Sequence, residues 1–532
     1  MPNLNPHSGI AAEEQAECDR EDYLHFATFF AHNTAAIHLL TSVQALSPPN
    51  TYLSRCLTVV DDNIGYNLSL ACDSSSGYSY PGKWRIGAGL CRPRRLDMGS
   101  DFLLCPPAGT PGNKRTRESI SSLHAMLYFH DESGALMLRS LCNKPIVYLD
   151  GCGDSDFTFD RHSGGACVLY QQRNRLRFGD YEFSLDFSVG AVADVIAQLK
   201  AERDNIMLSK GTLPSRHLRM FPSSSPMFKW NVWVHQQLAE NCYAGVRLHC
   251  GRAVFLEVVQ YRKKSRKTIS RWLRNLAKFG EAHKGVLGMI ESWCEHGHSP
   301  PCQLTKGWRP KDAGHDEDMF FTVPLAEYNF GSMPWHQLEP RKRIRLLHET
   351  LVGLGAIHKK GFIHGGIRPD TLFLLRGQGT EPFQEGMTAA IGGLLYTSHS
   401  SSRKDKPRNK SIWLAPEVIT SSMKTPYTNK ADVWALAVSW IYAFKRPPGV
   451  AEIDAATIAS AVQDILLPDH LTGLRGLWLQ MLVPDPAARP TVQEALAHEV
   501  WQEVESTTRV KGFQEHDGRV KRVRLLSPEG AD

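Results

Sequence analysis

Between Trp84 and Phe187 the chain alternates short apolar runs with turn-forming residues. The runs read WRIGAG, DFLLC, HAMLYFHD, GALMLRSL, IVYLDG, ACVLY and NRLRFGDYEFSLDF, with glycine, proline, asparagine and aspartate in or between them. Short β-prone runs bounded by turn residues are typical of strands, and many such strands in succession are typical of two packed antiparallel sheets. The pattern therefore predicts a β-sandwich in this part of the chain.

Two segments outside this region are compatible with helices. The first is Tyr23–Leu46. In the second, between Gly190 and Leu208, apolar residues recur at helical spacing. These residues are Val192, Val195, Ile196, Leu199 and Ile206. The stretch Met220–Met227, rich in serine and proline, then makes a natural boundary between domains.

A chain of 532 residues is too long for one hydrophobic core, which predicts two or three domains. Its composition, 42% hydrophobic and 22% charged, is typical of globular proteins, and a net charge of +6 is too small to indicate nucleic-acid binding. Residues 1–19 lack the apolar core of a signal peptide, and no apolar run reaches the roughly 18 to 20 residues of a membrane helix. Twelve scattered cysteines do not form a disulfide framework. We therefore expect an intracellular protein, nuclear or cytoplasmic, that does not bind membranes or nucleic acid.

Four motifs follow one another in the β-rich region: IGA at Ile86, SSLH at Ser121, SLCNKP at Ser140 and LRFGDYEF at Leu176. Their order and spacing resemble those of the forkhead-associated (FHA) domain, which has an Ile-Gly-Arg turn, an SxxH motif, a hairpin with Asn-Gly and a final strand pair around Gly-Asp. The resemblance implies an all-β FHA-like sandwich that binds phosphothreonine. It also implies that His124 orders a loop and does not touch the ligand.

The same resemblance implies a phosphopeptide-binding site on the loops of this sandwich. Its candidate residues are Arg85, Ser121, Asn143 and Lys144. The hydroxyl of Ser121 would donate to the phosphate. The alternative for Ser121 is a polar turn residue without a ligand.

Two departures from the family pattern bear on this site. The arginine that normally follows the first glycine is Ala88, and Pro145 and Ile146 replace the Asn-Gly of the hairpin. A phosphate dianion needs charge-assisted and backbone donors that converge on it, so the loss of a guanidinium weakens the site. The missing charge could come from Arg85, Arg92, Arg94 or Lys144, and the sequence does not choose among them.

The segment from about Lys229 to Val504 carries a second set of motifs. They are HKKGFIHGGIRPDTLFLL at His358, WLAPE at Trp413, DVWALA at Asp432 and PDPAARPT at Pro484. They resemble the catalytic loop, the end of the activation segment and the late helices of a eukaryotic protein kinase. The resemblance implies an α+β bilobal protein-kinase-like fold.

Four residues in these motifs are implied to hold the kinase fold: His364, Glu417, Asp432 and Arg489. In the family the aspartate of the DVWALA motif holds the backbone of the catalytic loop, and the late arginine pairs with the glutamate of the APE motif. A buried carboxylate needs such a partner or hydrogen bonds.

The residues that transfer phosphate in kinases are absent from the matching positions. Gly366 stands where the catalytic loop has its aspartate, Thr371 where it has its metal-binding asparagine, and Gly393 where the DFG motif has its aspartate. The segment LAENCYA, in place of the glycine-rich loop, contains no glycine. These absences predict a pseudokinase that is not an enzyme and that uses no cofactor or metal ion. The alternative is an atypical kinase with displaced catalytic residues, for which Asp370 is the nearby carboxylate.

The strand that carries the phosphate-pairing lysine in kinases reads AVFLEVV here, which puts Phe255 or Glu257 at that position. Arg274 falls near the position of the kinase glutamate that would pair with it. An ion pair of Glu257 with Arg274, with its charges exchanged, would preserve the geometry of the lobe and repel ATP.

Together these patterns predict five regions. They are an N-terminal extension over 1–50, an FHA-like phosphopeptide-binding domain over 51–189, a helical linker over 190–228, a protein-kinase-like domain over 229–504 and a basic C-terminal tail over 505–532. The predicted function is a phosphorylation-dependent adaptor or signalling scaffold, for which the architecture suggests a checkpoint or cell-cycle context. Its expected partners are phosphothreonine-containing proteins and proteins bound by the pseudokinase domain. Two alternatives stay open: an atypical serine/threonine kinase, and an interaction module in which both sites are lost.

Overall fold

The computed structural model describes much of the chain between residues 25 and 502. The described residues are 25–46, 57–60, 63–70, 82–89, 100–106, 113–149, 151, 156–162, 165–188, 193–229, 231–261, 279, 285–294, 302–303, 317–376, 386–394, 397–399, 413–420, 428–445, 455–465, 467 and 472–502. The chain divides into two compact units. The first comprises Met1–His283, Leu287–Tyr328 and Leu374–Thr388, and the second comprises Lys284–Val286, Asn329–Phe373 and Ala389–Asp532.

The first unit begins with a β-sandwich of two sheets. Its strands are β1 (His25–Ala31), β2 (Leu57–Val60), β3 (Asn63–Ser69), β4 (Lys83–Gly87), β5 (Phe102–Leu103), β6 (Ala125–Phe129), β7 (Leu136–Ser140), β8 (Ile146–Leu149), β9 (Phe157–Phe159), β10 (Ala166–Val168), β11 (Arg173–Phe178) and β12 (Tyr181–Phe187). One sheet has seven strands in the order β2-β3-β1-β12-β11-β8-β9, and the other has five in the order β10-β7-β6-β4-β5. The pair β4 and β5 is parallel, and the other pairs are antiparallel. The strands predicted from the alternating pattern are therefore present, in two sheets.

Strand β1 lies in the middle of the larger sheet, between β3 and β12. Its residue Phe29 is opposite Tyr66 on β3 and Leu185 on β12. The prediction of a helix across Tyr23–Leu46 is therefore wrong for residues 25–31 and correct for helix α1 (Thr34–Leu46). Aromatic and β-branched residues in HFATFFA suit a buried strand when a sheet offers partners on both sides. The sandwich thus includes residues that precede position 51, the predicted start of the FHA-like domain.

Aromatic side chains fill the space between the two sheets of the sandwich. The ring of Phe26 lies 5.7 Å from that of Trp84, and the ring of Tyr66 stacks 4.9 Å from that of Phe102. All four residues are buried. Burial of a large apolar side chain stabilises a fold by about 1.5 to 3 kcal/mol, so this aromatic layer contributes strongly to the stability of the sandwich.

Two helices flank the strands of the sandwich. Helix α2 (Asn113–Ser119) precedes β6, and helix α3 (Ala193–Ser209) follows β12. Helix α3 coincides with the helix predicted between Gly190 and Leu208. Of its apolar residues, Leu199 and Ile206 are buried, Val195 is partly buried and Ile196 is 37% exposed, so the predicted apolar face is buried only in part.

A third sheet of seven strands lies in the same unit. Its strands are β13 (Met227–Lys229), β14 (Val232–Ala239), β15 (Cys242–Arg247), β16 (Ala253–Tyr261), β17 (Glu291–Cys294), β18 (Cys302–Gln303) and β19 (Glu317–Pro324). Their order is β13-β14-β15-β16-β19-β17-β18.

This third sheet packs directly against the sandwich. The amide of Val168 donates to the carbonyl of Leu248 at 2.8 Å. Gly251 lies so close to the sandwich that a Cβ added to it would be 2.6 Å from the sulfur of Met137. Leu248 and Ala253 belong to the same hydrophobic core as the sandwich residues. The two parts therefore share one core across the predicted boundary near residue 228.

The second unit is mainly helical. Its helices are α4 (Pro340–Lys359), α5 (Pro416–Thr420), α6 (Lys430–Trp440), α7 (Ala455–Gln463), α8 (Thr472–Met481) and α9 (Val492–Leu496). Short strands lie in or beside it: β20 (Tyr328–Asn329), β21 (Phe362–Ile363), β22 (Leu372–Leu375), β23 (Thr388–Ile391) and β24 (Ser398–His399). Two buried indoles join the helices, since Trp440 donates to the hydroxyl of Thr350 at 3.0 Å and Trp478 donates to the carbonyl of Ala437 at 2.7 Å. Among the described residues, no helix has both the length and the apolar character needed to cross a membrane.

Candidate functional site

The SxxH turn is fixed at one end of the sandwich by hydrogen bonds to the first turn of the motif series. The amide of Ala88 donates to the carbonyl of Ser121 at 2.9 Å, and the amide of His124 donates to the carbonyl of Ile86 at 2.8 Å. The amide of Ser121 donates to Nδ1 of His124 at 3.2 Å. His124 is buried, and its ring packs edge-on against Phe178 at 5.0 Å. The imidazole therefore orders the turn that carries Ser121, as the family resemblance implies.

The guanidinium of Arg85 forms an ion pair with a carboxylate, that of Asp101. It makes two contacts of 3.2 Å with the carboxylate of Asp101, and the backbone amide of Arg85 donates to the same carboxylate at 2.7 Å. The two side chains are 12% and 5% exposed. Because Asp101 neutralises this guanidinium, Arg85 holds β4 to the segment before β5 and adds little charge to a phosphate site.

Lys144 and Asn143 lie in the turn between β7 and β8. The ammonium of Lys144 donates to the carbonyl of Arg117 at 2.9 Å, and Asn143 is exposed. Burial, helped by the nearby charge of Lys144, lowers the pKa of His124 to about 4. The structure therefore brings Lys144 to the same small region as His124 and the turn of Ser121.

Arg117, on helix α2, belongs to this region although no motif of the sequence points to it. Its guanidinium donates to the carbonyls of Ala88 at 2.9 Å, Gly89 at 3.1 Å and Pro106 at 3.2 Å. The sequence offers one weak signal, the basic composition of NKRTRES just before the SxxH motif. Arg92 and Arg94, the other predicted sources of charge, lie outside the described residues.

In the second unit, Asp432 organises the loop that follows β21. Its carboxylate accepts hydrogen bonds from the amides of His364 and Gly365, both at 2.7 Å, and from Nε2 of His358 at 2.9 Å. Nε2 of His364 bonds to the carbonyl of Gly392 at 2.8 Å. Burial alone would raise the pKa of Asp432, but the hydrogen bond and charge of His358, the charge of His364 and the amide of Gly365 lower it overall. Asp432 and His364 thus hold the loop in the way the kinase resemblance implies.

Glu417 and Arg489 form the ion pair implied by the same resemblance. Nη1 and Nη2 of Arg489 lie 2.7 and 3.0 Å from the two carboxylate oxygens of Glu417. Arg489 also donates to the carbonyls of Val483, Lys430 and Pro484. Its side chain is fully buried, so the pair joins helix α5 to the turn before helix α9.

Two of the positions that differ from the kinase pattern, Gly393 and Thr371, fit against each other sterically. Gly393 has a φ of +66°, and a Cβ added to it would lie 2.8 Å from Cγ2 of Thr371. The hydroxyl of Thr371 accepts from the amide of Arg368 at 3.0 Å and donates to its carbonyl at 2.9 Å. Asp370, whose side chain is 54% exposed, pairs with Arg368 at 2.7 Å. The methyl group of Thr371 therefore takes the space that a side chain at Gly393 would need.

Glu257 lies on β16, opposite Cys242 on β15 and Phe321 on β19. Burial raises the pKa of Glu257 to about 7. In the part of the chain that the structure describes, Glu257 has no ion-pair partner. Arg274 lies outside the described residues, so the pair with Glu257 stays a prediction.

A tight hairpin stands where kinases have their glycine-rich loop. Strands β14 and β15 are joined at Glu240 and Asn241, and Ala239 pairs with Cys242. Asn241 has a φ of 59°, in the left-handed region that asparagine tolerates better than most residues. The segment LAENCYA thus forms a hairpin turn, with an irregularity in the strand pairing between Gln237 and Ala239.

The second unit agrees with a known family. Residues 334–501 match the family model of the protein kinase domain. The chain is 24% identical over 322 residues to the hormonally up-regulated neu tumor-associated kinase homolog of Xenopus tropicalis, which covers 56% of this chain and 42% of that protein. It is 28% identical over 171 residues to serine/threonine-protein kinase TAO3 of Xenopus laevis, covering 30% of this chain and 17% of that protein. Serine/threonine-protein kinase PAK 4 of Homo sapiens is 28% identical over 160 residues, covering 28% of this chain and 25% of that protein. The chain therefore contains a protein kinase-like domain, and it spans less than half the length of these relatives.

These relatives correct the prediction that the protein is not an enzyme. They are serine/threonine kinases, and together with the matching family model they point to a kinase. The prediction rested on Gly366, Thr371 and Gly393 and on the segment LAENCYA, which has no glycine in the place of the glycine-rich loop. Phosphoryl transfer depends on positioning and electrostatics, and these can be supplied by groups outside the usual positions.

Proposed function

We propose that this protein is a phosphorylation-dependent adaptor or scaffold. Its FHA-like sandwich binds phosphothreonine-containing proteins and brings them to the kinase-like domain, which contacts further protein partners. The proposal is supported by the position of Lys144, whose ammonium donates to the carbonyl of Arg117 at 2.9 Å and whose charge acts on His124, the residue that accepts from the amide of Ser121. Ser121, Asn143 and Lys144 also follow one another along the chain in the order of the FHA motifs.

The electrostatics of this region support an anionic ligand. A phosphate dianion binds best where ionised donors and hydroxyl groups converge. Lys144 lies close enough to His124 for its charge to act on the imidazole, and His124 in turn holds the amide of Ser121. The charge of Lys144 thus acts on the same buried imidazole that accepts a hydrogen bond from the backbone of Ser121.

A degenerate phosphothreonine peptide library, paired with the same library carrying unmodified threonine, tests this function on the full chain. We expect binding that requires the phosphate, and we expect Ser121→Ala to weaken it about tenfold, which corresponds to about 1.4 kcal/mol. Ser42→Ala, an exposed serine on helix α1, serves as the control and should bind normally. Equal binding of both libraries, or a Ser121→Ala variant that binds as well as the wild type, would instead favour an interaction module without a phosphate site.

The kinase relatives favour a second function, phosphoryl transfer by an atypical serine/threonine kinase with displaced catalytic residues. Asp370 is the carboxylate of the loop between His364 and Thr371, and half of its side chain is exposed. Transfer of radiolabel from ATP to protein by the full chain should then be lost in Asp370→Asn and kept in Asp464→Asn, which changes an exposed aspartate of the same unit. Labelling that is identical in both variants would exclude Asp370 as the base.

We also place the protein inside the cell, in the nucleus or the cytoplasm. Four described cysteines, Cys142, Cys167, Cys242 and Cys250, are free thiols, which suits a reducing compartment. Microscopy of a fluorescent fusion should show nuclear or cytoplasmic signal. Recovery of the protein from the culture medium would contradict this placement.

A further inference from the structure

Residues 215–219, which lie between helix α3 and strand β13, form a segment that we call the strap. Its residue Leu218 is buried in the hydrophobic core that the sandwich shares with the third sheet, and the amide of Arg219 donates to Nδ1 of the buried His235 at 2.7 Å. Arg216, in contrast, is exposed. One end of the strap is thus anchored, while Arg216 can make or lose contacts without disturbing the core.

Two side chains of the strap meet at the main-chain carbonyl of Glu327. Nη2 of Arg216 donates to this oxygen at 3.1 Å, and Nε2 of His217 lies 3.2 Å from the same oxygen. The guanidinium of Arg216 also lies 3.9 Å from the centre of the Tyr328 ring, well within the roughly 6 Å over which a cation is attracted to an aromatic face. Nδ1 of His217 lies 3.3 Å from Oε1 of Gln236 on β14, so the imidazole also joins the strap to the third sheet.

The strap reaches the chain next to a place where the two units are joined. The chain leaves the first unit after Tyr328 and returns to it at Leu374, and we call these two places the crossings. The amide of Glu327 donates to the carbonyl of Leu374 at 2.9 Å, and its buried carboxylate lies 3.5 Å from Nη2 of Arg376. Through its amide, carboxylate and carbonyl groups, Glu327 therefore joins the strap to both crossings.

We propose that the strap is a conformational device that sets the mobility of the two crossings. While Arg216 and His217 hold the carbonyl of Glu327, the crossings are fixed, and when the two side chains release this carbonyl, the crossings open. Hinge motions are absorbed by a few residues in loops or at the ends of elements, and Tyr328, the first residue of β20, is in such a position.

The strap also gives the sandwich a physical route to the crossings. Helix α3, which precedes the strap, packs on the core of the sandwich through Leu199 and Ile206. A shift of helix α3 would therefore pull on the strap directly. This role goes beyond the proposed function, since it does not require that the sandwich bind phosphate.

Hydrogen–deuterium exchange of the full chain, followed by mass spectrometry, tests this device. Arg216→Ala removes a charged donor from the carbonyl of Glu327, so we expect a peptide covering residues 325–328 to exchange about tenfold faster through local opening. Arg216→Lys keeps the charge near the Tyr328 ring and loses the planar fork of donors, so we expect an increase of about threefold. The matched control is Arg219→Ala, which changes an exposed arginine of the strap whose described hydrogen bond is made by its backbone amide. This control should exchange like the wild type.

A local change in exchange supports the strap, and an absent or uniform change overturns it. The strap is supported if the faster exchange in Arg216→Ala is confined to residues 325–328 and 374–376, with strand β6 of the sandwich unchanged. It is overturned if residues 325–328 exchange at the wild-type rate, or if Arg219→Ala speeds their exchange equally. It is also overturned if β6 exchanges faster to the same extent, because Arg216 then contributes only to the general stability of the first unit. If Arg216→Ala does not fold, Arg216→Lys provides the same comparison.

Discussion

The cations of the two units are partnered in different ways. In the second unit, Arg489 makes two short hydrogen bonds to the carboxylate of Glu417 and is fully buried. At the end of the sandwich, Lys144 donates to a peptide carbonyl and keeps its net charge. The first arrangement uses charge to hold helices together, and the second leaves charge at a surface turn. The charged groups of the two candidate sites therefore differ in what they can offer to a ligand.

Two carboxylates, the buried Asp432 and the partly buried Glu257, show a similar contrast between the units. Asp432 in the second unit receives three hydrogen bonds, and its pKa is lowered overall. Glu257 in the first unit has no ion-pair partner among the described residues, and burial raises its pKa to about 7. A satisfied carboxylate stabilises its unit above the usual pKa of aspartate, whereas an unsatisfied one destabilises its unit when it ionises.

The largest loss of folding stability is expected when Arg489 is replaced. Arg489→Ala leaves Glu417 without its partner and three carbonyls without a donor, so we expect a loss of about 4 kcal/mol of stability. Unfolding in urea, followed by tryptophan fluorescence, measures it, because Trp434 lies 5.2 Å from the Arg489 guanidinium. Arg341→Ala, which changes an exposed arginine on helix α4, should stay within about 0.5 kcal/mol. Equal stability of the two variants would break the contrast between the units.

A smaller change in folding stability, which depends on pH, is expected when Glu257 is replaced. Its folded-state pKa is raised, so the cost of its ionisation is absent below the ordinary glutamate pKa and grows as the pH rises to about 7. Glu257→Gln should therefore be more stable than the wild type by about 1 to 3 kcal/mol at pH 8, and the difference should vanish below about pH 4. Melting temperatures measured from about pH 4 to pH 8 give this comparison, with Glu240→Gln in the exposed hairpin turn as the control. A gain that does not depend on pH would show that packing, and not ionisation, is responsible.

The smallest change in folding stability is expected when Lys144 is replaced. Lys144→Met removes one hydrogen bond to a carbonyl, so its stability should fall by only about 1 kcal/mol. The pKa of His124 should rise from about 4, although burial, the larger cause, keeps it below the ordinary value for histidine. Titration of the His124 ring by NMR measures this shift, and Lys114→Met on helix α2, which changes an exposed lysine, is the control. An unchanged pKa in Lys144→Met would mean that the lysine charge does not reach the imidazole.

Several features of the molecule could be predicted from local pattern. The strands between Trp84 and Phe187 follow their apolar runs, and helix α3 follows its apolar spacing. The pair of Glu417 with Arg489 spans 72 residues, and it could be predicted only because two motifs resemble those of a kinase. Without such a resemblance, local spacing carries no information about a contact between two residues that lie so far apart in the sequence.

The apolar pattern alone was enough to place the strands between Trp84 and Phe187 and helix α3, since the period of apolar residues depends on near neighbours, but it did not identify β1. The sequence by itself also determined which kinase positions carry glycine or threonine in place of acidic or amide groups. Tertiary contacts were needed to establish that β1 lies inside the sandwich, that Arg85 is neutralised by Asp101, and that Arg117 reaches Ala88, 29 residues away in the sequence. The physical reason is that the partner of a charged side chain depends on which loops the folded sheets bring together, and no local pattern encodes that meeting.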